Sequence, residues 1–97
     1  MIKNSVVERV YKRDNYICQY CGGDGLESLD SWHNLVVDRF TQKKGYAERN
    51  LITACHYCNN IKGTRVFRTV VEARGYVMSK RIELIKKFLK LKKKVRG

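Results

Sequence analysis

Two stretches decide the fold: Tyr16-Ile17-Cys18-Gln19-Tyr20-Cys21-Gly22-Gly23, and, further along, Leu51-Ile52-Thr53-Ala54-Cys55-His56-Tyr57-Cys58. Each carries a Cys-x-x-Cys pair, and 33 residues lie between the pairs. Two intervening residues let one tight turn present both sulfurs to a single ion, and two such turns complete a tetrahedral thiolate shell. The glycines after Cys21 suit the turn. Disulfides or an iron–sulfur cluster are the other uses of four cysteines. In a reducing compartment an even set in this pairing is read first as metal ligands. The expectation is one structural zinc ion on Cys18, Cys21, Cys55 and Cys58.

Outward from these knuckles, the chain has 97 residues, enough for one core. A hydrophobic share of 43% and a charged share of 31% exclude wholesale disorder and a membrane protein. No apolar run approaches a membrane span and the first residues lack a signal-peptide core, so a cytoplasmic location is expected. The net charge of +12 calls for a polyanionic partner, nucleic acid before anionic membrane. From Ser79 to Gly97 there are nine Lys or Arg and one Glu, a net +8. The charge is concentrated at one end.

Apolar residues at 6, 7, 10 and 11 predict a helix from Ser5 to about Arg13, with Asn4 or Ser5 as its cap. Trp32 to Phe40 reads as a strand, Leu51 to Ala54 as a second, and Cys58 to Thr64 as helical. Another helix is expected from Thr64 to Arg74, stopped by Gly75. From Ser79 to Arg96, Ile82, Leu84, Ile85, Phe88, Leu89, Leu91 and Val95 share one arc of a helical wheel opposite a lysine arc, giving a basic amphipathic helix.

Between the cysteines, Lys12 to Gly22, then Val37-Asp38, Asn50 to Cys55, and Cys58-Asn59-Asn60-Ile61-Lys62-Gly63 are similar to the HNH endonucleases with their ββα-metal fold. The resemblance runs from about Arg9 to Arg65. It implies a small α+β fold: a zinc-braced ββα-metal core over residues 1–75 with an N-terminal helix, and a basic helix over 76–97 that packs on it or extends to nucleic acid. It also implies metal-dependent hydrolysis or nicking of DNA, with Asp38 and Asn59 holding a magnesium or manganese ion and Asn50 shaping the loop.

At position 39 the chain departs from the family, whose usual Asp-His pair supplies a general base. Arg39 cannot accept a proton at neutral pH. Two readings stand open: a nuclease in which Arg39 stabilises phosphate charge, or a non-catalytic DNA-binding or regulatory protein. Asp38-Arg39 followed by Lys44-Gly45-Tyr46 and Asn50 looks like a subset of HNH-type sequences of phages and bacteria, so a bacterial or phage-infected cytoplasm is implied.

His33 is a poor replacement for the base, since it would lie roughly 16 Å from Asp38 along a strand; His56 reads first as a knuckle residue, with an approach to the metal or the DNA backbone as its other reading. Arg39, Lys62, Arg65, Lys86, Lys90 and Lys93 are the expected contacts to double-stranded DNA. Trp32 and Phe40 are assigned to the core, while Tyr46 is open between stacking and core. The apolar arc of the last helix needs a cover, either the domain's own core or a protein partner.

Overall fold

The computed structural model describes residues 2–41 and 47–97. Helix α1 (Asn4–Arg13) is followed by the first knuckle, then a short helix α2 (Leu29–His33) and strand β1 (Leu35–Arg39). A 3-10 turn (Glu48–Asn50) leads into β2 (Leu51–Cys55), which runs directly into α3 (His56–Lys62); α4 (Val70–Arg96) completes the chain. β1 and β2 pair antiparallel, Leu35 opposite Cys55 and Arg39 opposite Leu51. This is the small α+β, ββα arrangement that the sequence implies.

The core lies between the sheet, α3 and the first turns of α4, where Tyr20, Phe40, Ile52, Ala54, Cys58, Ala73 and Val77 pack together. Helix α1 covers the other side. Its Val10 is fully buried, and the Tyr11 hydroxyl donates to the Leu35 carbonyl at 3.0 Å. Asp14 closes the α1 end by accepting the Thr53 amide at 2.8 Å, and Arg13 donates to the Leu51 carbonyl at 2.6 Å. The first knuckle is thereby brought to β2, whose Thr53 carbonyl accepts the Gln19 amide at 2.9 Å.

Several boundaries differ from the sequence reading. The residue capping α1 is Lys3, with no side-chain bond, so neither Asn4 nor Ser5 is the cap. Trp32 belongs to α2 rather than to a strand and is 49% exposed, outside the core, whereas Phe40 is buried in it. Ser28 caps α2 by accepting the Ser31 amide, and this local bond wins over the apolar run. Helix α3 starts at His56, two residues before Cys58.

The expected helix from Thr64 with a stop at Gly75 is also corrected. Residues 64–69 are not helical, and α4 begins after Thr69, whose side chain accepts the Glu72 amide. Thr69 and Glu72 have capping-box spacing, a start signal that outweighs the apolar pattern upstream. The helix then runs through Gly75 without a break, because buried Ala73 and Val77 anchor it on either side.

Beyond Arg81 every residue of α4 is exposed. The apolar arc, with Phe88 at 58% exposure, therefore does not cover the domain's own core. The molecule is correspondingly elongated, 48 × 30 × 20 Å. No helix among the described residues is long and apolar enough to cross a membrane.

Candidate metal centre

The sulfurs of Cys18, Cys21, Cys55 and Cys58 all lie within 4.8 Å of one another. Backbone geometry builds both turns the same way. The Cys21 amide points at the Cys18 sulfur at 3.5 Å, and the Cys58 amide at the Cys55 sulfur at 3.4 Å. Gly22 adopts φ +77°, which a side chain would strain, and the Gly22 amide closes on the Cys18 carbonyl at 2.8 Å.

All four cysteines are free of disulfides. A tetrahedral zinc with Zn–S distances of about 2.3 Å needs sulfurs about 3.8 Å apart. The donor set fits a closed thiolate metal site. Hydrogen bonds from the Cys21, Cys55 and Cys58 thiols hold the Cys18 pKa below the ordinary thiol value, the direction a metal-binding sulfur needs.

The expected catalytic residues fall in a different environment. Asp38, near the end of β1, is only 9% exposed. Its carboxylate accepts the Tyr20 hydroxyl at 2.5 Å, and the Lys62 ammonium stands 3.4 Å from Oδ1 and 3.3 Å from Oδ2. Burial, then the hydrogen bond to Asp38, raises the Tyr20 pKa above its usual value, so the phenol keeps its proton and remains the donor. Tyr20 is absent from the sequence-level site; its position between two cysteines of one knuckle was the available signal.

Lys62 is 2% exposed and cannot face a flanking phosphate, which corrects its assignment to the DNA surface. The reason is the packing of α3 on β1, which turns the ammonium inward to the Asp38 carboxylate. Asn59 is half-buried one turn earlier on the same face of α3, and its carbonyl accepts the Gly63 amide at 2.9 Å. Asn50 is buried, its carbonyl accepting the Phe40 amide and its own amide donating to Ala47, which fits a loop-shaping part.

A divalent ion of the magnesium type does not fit Asp38 as it stands. Both carboxylate oxygens are engaged, a lysine already supplies the positive charge, and the burial leaves little space for the waters such an ion retains.

Arg39 is half-buried and, as the strand neighbour of Asp38, points to the opposite face of the sheet. His33 ends α2 with its ring beside Trp32, and His56 opens α3 with Nε2 3.2 Å from the Asn60 amide nitrogen. Both are exposed. Arg65 is exposed with its guanidinium 5.0 Å from the Tyr76 ring centre. Lys86, Lys90 and Lys93 are exposed on α4 at spacings of four and three, one side of the helix. Lys44, Gly45 and Tyr46 lie outside the described residues.

Comparison with curated proteins and with solved structures gives no match. A family model described as HNH endonuclease matches residues 18–65, a span that opens on the first knuckle cysteine and takes in both strands, α3 and the Asp38–Lys62 pair. By this match, and by the ββα arrangement clamped between two cysteine knuckles, the chain belongs to the HNH endonuclease family.

Proposed function

We propose that the chain is a zinc-stapled HNH protein that binds double-stranded DNA, its phosphodiester-cutting centre held shut by Lys62 and Tyr20. The observation that carries this reading is the occupied Asp38 carboxylate, with an ammonium where a catalytic cation would stand. Arg39 in place of a general base points the same way. Zinc, held by Cys18, Cys21, Cys55 and Cys58, supplies no chemistry to substrate in a closed four-thiolate site; it ties the two knuckles together.

Support for DNA as the partner comes from the family match and from charge. Exposed Arg65, Lys86, Lys90 and Lys93 offer cations to phosphates, and Arg39 lies on the sheet face away from Asp38. Each phosphate contact releases counterions, so affinity falls steeply with salt. The apolar side of distal α4 leaves space for a protein partner beside DNA.

A second reading, a metal-dependent endonuclease, is favoured by one observation. The Lys62 contacts of 3.3–3.4 Å are long for charge-assisted hydrogen bonds, which run at about 2.7–2.9 Å. The ammonium is held loosely enough to be displaced.

The test is one purified protein in two assays. In fluorescence anisotropy the chain should bind duplex DNA, and replacing Lys86, Lys90 and Lys93 by Gln should reduce the salt slope by about 1 per lysine. In a plasmid assay with magnesium or manganese, supercoiled DNA should stay intact. Nicking by the wild type that Asp38→Ala abolishes would replace the binding reading with the endonuclease reading. Absence of any DNA binding would defeat both.

A further inference from the structure

Helix α4 lies across both knuckles, and two of its arginines reach them. Arg74 donates through Nε to the Gln19 carbonyl in the first knuckle at 2.7 Å. Arg81, seven residues or two helical turns later, donates through Nη1 to the Cys58 sulfur in the second at 3.6 Å. The guanidinium of Arg81 is also held 4.7 Å from the centre of the Tyr57 ring, the residue beside Cys58. On the same stretch of helix, Ala73 beside Arg74 and Val77 between the two arginines are fully buried. The same face of one helix thus grips both halves of the thiolate cluster.

From this geometry we infer that Arg81 is a positioning residue for the metal centre, its positive charge balancing the zinc tetrathiolate and coupling metal retention to the docking of α4. The inference rests on the zinc reading above. Four thiolates and one zinc ion carry a net charge of −2, and a cation donating an N–H bond to a ligand sulfur stabilises that charge without entering the coordination shell. The aromatic ring of Tyr57 holds the guanidinium in place on its open side. By linkage, whatever favours the docked α4 favours metal retention, and metal favours the docked helix to the same degree.

The experiment is zinc competition against a chromophoric chelator, using the full chain loaded with zinc. Arg81→Met should lower zinc affinity by roughly tenfold or more, within the range seen for residues that support ligands. Arg81→Lys, which keeps the charge, should stay within about threefold of wild type. Tyr57→Leu, at a half-exposed position where folding is not at risk, should weaken zinc by a smaller factor.

In cobalt-loaded protein, Arg81→Met should move the sulfur-to-cobalt charge-transfer band, a readout that lost packing would leave unmoved. Arg74→Met, which removes only a bond to a carbonyl, should leave that band in place. Wild-type zinc affinity in Arg81→Met, or an Arg81→Lys as weak as Arg81→Met, overturns the inference. A wild type that retains no zinc overturns instead the reading on which it rests.

Discussion

Tyr20, Asp38 and Lys62 come from a knuckle, a strand and a helix, and they meet in one buried charge cluster. The raised Tyr20 pKa has a defined consequence for stability. A group that binds its proton more tightly when folded contributes fully below its unfolded pKa, about 10, and loses that contribution as pH rises beyond it. Urea denaturation at pH 8 and at pH 10.5 should show wild type losing more stability between the two than Tyr20→Phe. At pH 8 the variant should be weaker by about 1–3 kcal/mol, the cost of a lost donor to a buried acceptor. Lys62→Met strands the Asp38 charge and should cost about 3–5 kcal/mol, while adding Asp38→Asn should recover a large part of that loss. A double variant no better than the single one would show that the two groups are not coupled.

Glycines separate the elements that tolerate change from those that do not. A Cβ at Gly25 would stand 2.5 Å from the Tyr16 carbonyl oxygen and 2.5 Å from Leu35 Cδ1, so the knuckle loop has no room for it. A Cβ at Gly75, inside α4, meets nothing within 4 Å. Gly75→Ala should therefore raise stability by about 0.5–1 kcal/mol through helix propensity. Gly25→Ala should lower it by about 1–3 kcal/mol through overpacking. Thermal melts resolve both, since 1 kcal/mol moves the midpoint of a domain of this size by about 4–8 °C. Equal shifts of one sign would contradict this contrast between the knuckle loop and the helix.

At the scale of the whole molecule, the four-cysteine cluster is part of the core. The core cluster includes Cys18 and Cys58 themselves, and among the described residues the sheet beneath them has two strands. A two-stranded sheet is marginal without further support. Chelation should therefore unfold the domain, with zinc release and loss of far-UV circular dichroism following one curve. Lowering the pH should do the same, because protons compete with zinc for thiolates. Zinc leaving with the spectrum unchanged would refute this. The exposed half of α4, about 15 residues, should lose helix as well, being near the shortest length that holds helix alone.

The sequence by itself determined the metal clamp, the ββα order, the family and the charged end of the chain, because these are carried by short spacings and local patterns. Two residues between cysteines, a turn-forming glycine or a lysine arc mean much the same in any surroundings. Only the tertiary structure decided that Lys62 turns inward, that Tyr20 joins Asp38, that Arg81 reaches Cys58 and that α4 passes through Gly75. Each depends on residues between 18 and 24 positions apart, or on burial that overrides local propensity. A buried charge takes the partner that packing brings within reach. Sequence spacing singled out the candidate residues, and packing decided that Asp38, the acid expected to hold a metal, pairs with Lys62.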